Sequence, residues 1–225
     1  MNNNSNSTNM ICHLGRLSDT IFALAMALII FGFDFPKFAE SISNSEINDF
    51  LVSQLGTLGN YLITFAILAF YWIDHVKQFS YYQKTNEIHL WLYLAYLMCL
   101  FIIPYSNVLI AYFPQNAVIQ ISYSINVFLI GFFSFLNWTY ATHKHRLVDE
   151  NLDKTTIKYI RITSLIEPIV ALITIAVAFL KPALWDISWA SVIIFYILAE
   201  IFIKKSVDTR LTDDLNNDMK SEAIN

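Results

Sequence analysis

Three places in this chain set ionisable residues against otherwise apolar stretches, and these are where it could do chemistry. Asp19 opens the uncharged run Thr20–Phe33, and Asp74-His75 closes the uncharged run Phe50–Ile73. Glu167-Pro168 lies about one turn inside a later apolar run. Ionisable groups at membrane depth are costly and mark ion paths, proton relays or counter-ions. Near an interface the cost is small, so Asp19 and His75 read either as bracing groups or as hydrated helix caps. A negative charge such as Asp19 is also favourable at a helix N-terminus. Pro168 removes one helix hydrogen bond. Glu167 either reaches back to the headgroups beside Arg161 or is the proton-titrating carboxylate of a transporter. Glu200 stands similarly near the end of the last run, where snorkelling to the interface is the simpler reading.

Other chemistry lacks residues to carry it. Cys12 and Cys99 are far apart in sequence and form no metal or redox pair. His143 and His145 have no third ligand close by, and with His89 they fall at run ends, where a solvated basic loop suffices. There is no Walker loop, no GxGxxG, no HExxH and no GxSxG, so neither an enzyme nor a cofactor is expected.

The run after Asp19 has an uneven surface. Leu24, Leu28 and Phe31 fall at i, i+4 and i+7 and make one bulky stripe, while Ala23, Ala25 and Ala27 are small. Small residues let membrane helices approach closely, and a bulky apolar stripe facing an axis gates by dewetting. The same stripe serves equally well as a lipid-facing edge.

These residues need elements to hold them, and composition says which. Of 225 residues 56% are hydrophobic and 14% charged, against about 25% charged in ordinary soluble domains. The net charge of −4 gives no basic patch and no case for nucleic acid. A spanning helix takes about 20 apolar residues, and charge-free gaps locate six. They are Thr20–Phe33, Phe50–Ile73, about His89–Phe113, Asn116–Thr142, Ile162–Leu180 and Trp185–Ile203. Pro114-Gln115-Asn116 and Lys181-Pro182 supply tight turns. The expected fold is an all-α membrane protein of six transmembrane helices. Residues 1–17 form a polar tail and pre-helix segment, with Met1–Asn9 disordered. Residues 18–205 form the membrane domain, and 206–225 a polar acidic tail.

Lys and Arg set the orientation. Arg16, Lys77, Lys84, Lys144, Arg146, Lys154, Lys158, Arg161, Lys204, Lys205, Arg210 and Lys220 fall on the side of the termini, and only Lys37 and Lys181 on the other. Both termini are therefore expected in the cytoplasm of a multi-pass protein in the cell membrane. Trp185, Trp189, Tyr81, Tyr82 and Tyr112 fall near span ends, as an interfacial belt would place them.

Three short motifs add a resemblance. Ser18-Asp19 followed by Phe22-Ala23 and Ala25 resembles the Phe-Ser-Asp start of the first helix in the transmembrane protein 175 family, lysosomal-type potassium channels with prokaryotic relatives. Tyr71-Trp72-Ile73-Asp74-His75, then Phe79, is similar to that family's Trp-x-x-His-x-x-x-Phe segment. Ile103-Pro104-Tyr105-Ser106 resembles its Leu-Pro-Phe-Ser/Thr segment. The matches run in the family's order over spans one to three. The resemblance implies a potassium-permeable channel, with potassium ions as permeant and a lipid bilayer as setting. It implies a single-repeat prokaryotic-type member whose four copies surround one pore. Leu24 then falls on the narrowest hydrophobic ring, with Leu28 and Phe31 one and two turns further along. Arg16, Ser18, Asp19, Trp72 and His75 match or stand near the residues that brace the open pore. This chain departs from the pattern at His13, where the family has arginine, at Leu17, where it has phenylalanine, and at Ala27, where threonine is frequent. The alternative from the residues alone is a proton-coupled secondary transporter using Glu167.

Overall fold

A computed structural model of the chain describes residues 2–33 and 43–201. Among these the secondary structure is helical, and six helices are long and apolar enough to cross a membrane. They are Asn9–Gly32, Asn44–Phe79, Glu87–Tyr112, Ala117–His145, Lys154–Leu180 and Pro182–Ile201, one for each charge-free gap. The tail at 206–225, Lys37 and the four basic residues from Lys204 onward lie outside the described residues.

Local sequence explains where the helices start. Helix α1 (Asn2–Leu28) tightens into a 3-10 turn at Ile29–Gly32. Helix α2 (Asn44–Phe79) begins on a capping box in which Ser43 Oγ accepts from Glu46 N and Glu46 accepts from Ser43 N at 2.8 Å. Asn86 caps α3 (Glu87–Phe101) by accepting from His89 N at 3.0 Å. The chain continues through Ile102 into α4 (Ile103–Tyr112), where Pro104 cannot donate to the preceding turn. Asn116 ends the expected Pro114 turn and caps α5 (Ala117–Thr142) through Val118 N and Ile119 N. Asp153 caps α6 (Lys154–Thr163) through Thr155 N and Thr156 N. The same hydrogen bonds hold its carboxyl below the usual carboxylate range. After a break at Ser164-Leu165 the fifth span continues as α7 (Ile166–Leu180). The sixth comprises a 3-10 turn (Pro182–Leu184), α8 (Trp185–Ser188) and a last helix over 191–201.

Helix α5 is the hub and packs against α3, α4 and α7. Trp138 and Ile130 on α5 are fully buried, as are Leu97, Leu100 and Ile103 from the third span. Polar groups join the spans where no water competes. Ser124 Oγ accepts from Thr174 Oγ1 at 2.9 Å and Trp185 Nε1 at 3.0 Å, tying spans four, five and six together. At one end Gln120 donates to the carbonyls of Pro114 and Pro182, holding both short turns. At the other end the 80–86 and 143–153 loops meet: Gln83 N donates to Leu147 O at 2.9 Å and Gln83 Nε2 to Asp149 at 2.6 Å.

Four details differ from the expectations. Residues expected as a disordered tail are helical from Asn2 onward. They contain no proline or glycine, and the buried stripe begun by Ile11 and Leu14 continues α1 backward from the span. Asp74 and His75 do not end the second span. Helix α2 runs through them to Phe79 because His75 is buried and Asp74 half-buried within the protein. Tyr82 and Trp185 belong to the interior, not to an interfacial belt, since both are buried and Trp185 has its partner in Ser124. His89 is fully buried and not solvated: Thr85 Oγ1 meets its Nδ1 at 2.8 Å and the Tyr82 ring lies against it.

Candidate pore-lining helix and its supports

Helix α1 has two faces of opposite use. Ile11, Leu14, Ser18, Phe22, Ala25 and Ile29 recur every three or four residues and are all buried against the rest of the chain. Their spacing is that of one helical stripe. Leu17, Leu24, Leu28 and Phe31 fall on another side, where each is exposed. Leu24 is 51% exposed and Phe31 71%, so among the described residues much of this stripe is left uncovered. Ala23 and Ala27 are exposed too, whereas Ala25 is in the interface. The small residues named from sequence thus divide between the two faces.

The buried stripe is fastened to α2 and α3. Phe22 stacks against the His75 ring with centroids 5.3 Å apart. His75 in turn packs on Phe79 and hydrogen-bonds through Nδ1 to the Tyr93 hydroxyl. One turn before His75, Trp72 Nε1 donates to Asp19 Oδ1 at 3.3 Å. Further along, Thr64 on α2 and Asn107 on α4 hydrogen-bond across the spans. Gly15 allows the Phe79 ring close to α1, for a Cβ there would stand 3.1 Å from it.

Of the five candidate bracing residues, three therefore meet: Asp19 with Trp72 directly, and His75 through Phe22. Ser18 is buried, but its hydroxyl donates to Leu14 O within its own helix at 2.8 Å. Arg16 is exposed, and its backbone carbonyl accepts from Thr20 Oγ1. Sequence reasoning missed Tyr93 and Phe22 as parts of this contact. Phe22 stands four residues beyond Ser18, on the same helix face, and that spacing was the available signal. Among the described residues no group of three or more His, Cys, Asp or Glu side chains could hold a metal ion.

Comparison with known proteins bears on this helix first. The family model for the endosomal/lysosomal potassium channel TMEM175 matches residues 13–104, which take in α1 from His13 onward, all of α2 and α3, and Pro104. Over those residues the chain is similar to the TMEM175 family. It is also similar to a potassium channel of Streptomyces collinus, 22% identical over 171 residues that cover 74% of this chain and 82% of that protein. Two solved structures share the fold. One is a lysosomal potassium-selective channel TMEM175 homolog from Chamaesiphon minutus (TM-score 0.66, 18% identity, 85% of this chain and 98% of that one). The other is the potassium channel MtTMEM175, solved as a variant with a nanobody–MBP fusion protein (TM-score 0.60, 17% identity, 89% and 93%). TMEM175 is a channel family and not a class of enzymes. The solved relatives extend the fold match past the motifs of spans one to three, since nearly the whole length of each is covered.

Proposed function

We propose that this chain is a potassium-permeable cation channel in which four copies surround one pore lined by α1. The observation that carries the reading is the exposed stripe Leu24, Leu28 and Phe31 on the helix that the family model matches. Four such stripes around an axis make a narrow apolar passage that a hydrated ion crosses only by shedding water. Asp19 at the helix entrance attracts cations, and its hydrogen bond to Trp72 holds the entrance against α2. Phe22 and His75 fix the rotation of α1, so the opposite side of the helix is left for the axis. Both termini lie in the cytoplasm and the protein resides in the cell membrane, in keeping with the twelve-to-two division of basic residues. The reported matches are all to potassium channels, and they lend nothing to the proton-coupled transporter alternative.

Purified protein reconstituted into liposomes is expected to carry potassium down its gradient without any coupled substrate or proton movement. A preparation of folded protein that passes no more potassium than empty liposomes would contradict the proposal. Strict coupling of flux to protons, abolished in Glu167→Gln, would return the transporter.

A further inference from the structure

The pore reading leaves the most polar part of the interior unused. Glu167 does not reach back to Arg161, whose Nη2 donates to Thr142 instead. It lines a recess inside the helix bundle together with Tyr71, Asp74, Tyr96, Ser134 and Ser164. The recess offers about 10 Å³ to the centre of a water molecule, roughly the room one water needs. His75, Tyr96 and Ser134 also line a neighbouring recess of the same size, which Gln78 and Asn137 share. Gln78 Nε2 donates to Ser134 at 3.0 Å and to Ser164 at 3.1 Å, so the wall between α2, α5 and the fifth span is hydrogen-bonded.

We propose that Asp74 and Glu167 form a proton-binding site inside the protein, holding one proton between the two carboxylates beside a water molecule. Two carboxylates lining one water-sized recess repel each other, and in a medium of low dielectric two unpaired charges are far too costly to keep. A cation or a proton must offset one of them. Among the described residues no lysine or arginine lines the recess, and Lys77, which acts on Asp74, is itself exposed. Helix α2 presents Tyr71 and His75, with Lys77 acting on Asp74. From α3 come Tyr93 and Tyr96, and α5 has Ser134 and Asn137 there, with Tyr123 in electrostatic reach of Glu167. The fifth span adds Thr163 and Ser164, and the last helix adds Tyr196, which Tyr159 approaches. The charged group of helix α1 nearest the site is Asp19, which acts on His75 and Tyr93. No lysine or arginine lines either recess.

Two further observations point to a proton and its water. Asn137 is 1% exposed, and its Oδ1 has no hydrogen-bond partner although it lines the adjoining recess. A buried acceptor of this kind calls for a donor, which a water supplies. Tyr71 and Glu167 line the same recess, so the phenol and the carboxyl face one small polar space. Proton binding converts one carboxylate into a neutral acid whose O–H donates to the other carboxylate or to the water. The pair titrates as a unit. The site touches the proposed pore only at second hand, through His75 and Phe22.

Infrared difference spectroscopy on the full chain in lipid nanodiscs tests this without relying on ion flux. Wild-type protein at about pH 7 is expected to show the C=O stretch of a protonated carboxyl, shifted in D2O and lost at high pH. Glu167→Gln should remove the band, while Glu150→Gln in the exposed loop should leave it. Asp74→Asn removes the like charge and should move the titration down by about one pH unit or more. Absence of the band in wild-type protein, its persistence in Glu167→Gln, or an unmoved titration in Asp74→Asn would each overturn the proposal. If Glu167→Gln does not fold, the wild-type band and the Asp74→Asn shift still decide.

Discussion

Leu24→Ala is expected to raise potassium flux per reconstituted channel about tenfold, which corresponds to lowering the barrier by roughly 1.4 kcal/mol. The physical step is hydration of the passage. A ring of leucines excludes water, and an ion crossing it must leave part of its shell behind. Alanine widens the ring and lets water remain beside the ion. The same change should barely affect stability, because Leu24 is 51% exposed and packs little within its own chain. That separation matters, since a buried leucine truncated to alanine costs about 2–5 kcal/mol. Discrimination between potassium and sodium should fall as flux rises, measured as the reversal potential under opposed gradients. If Leu24 faced lipid, both quantities would stay at their wild-type values.

The second large effect concerns assembly. Gly131→Ala should lower the melting temperature by several degrees, and Gly131→Leu should prevent folding. A Cβ built at Gly131 would lie 2.4 Å from Pro168 Cδ and 3.2 Å from Glu167 Cβ. These are atoms of a rigid ring and a helix, which cannot swing aside as the end of a long side chain would. Overpacking of this kind costs about 1–3 kcal/mol, and for a chain of this length each kcal/mol moves the midpoint about 2–4 °C. Gly59→Ala is the control, for a Cβ there meets nothing of the same chain within 4 Å. Thermal unfolding in detergent followed by tryptophan fluorescence reads both variants.

Much of the architecture was legible because charge is costly in lipid. The absence of Asp, Glu, Lys and Arg between Glu87 and Lys144 located two spans, and Pro114 and Asn116 located the turn between them. Helix ends were harder wherever a charged residue turns inward. Asp74 looks like a boundary in sequence, yet its side chain lines an internal recess and α2 continues past it. Aromatic residues misled for a related reason. Trp185 stands at a span end, but the spacing of one residue cannot reveal that Ser124, far away in sequence, accepts its N–H.

The site was legible in part and by a different route. Period alone left the stripe of Leu24, Leu28 and Phe31 open between pore and lipid, and motif resemblance favoured the pore. Asp19 and Trp72 meet through a hydrogen bond between the first two spans. The contact of Phe22 with His75, and of His75 with Tyr93, joins three spans whose pairing no local pattern encodes. Gly131 was equally hidden. Only the approach of Pro168, 37 positions later in sequence, gives that glycine its role.

The most direct test of the pore is thiol block at Leu24. Leu24→Cys is reconstituted in a background carrying Cys12→Ser and Cys99→Ala, and potassium flux is recorded before and after a charged, membrane-impermeant thiol reagent. If α1 lines the pore, flux is lost on modification, and Leu55→Cys, on an exposed face of α2, conducts unchanged. Undiminished flux through fully modified Leu24→Cys channels would contradict a pore lined by the first helix.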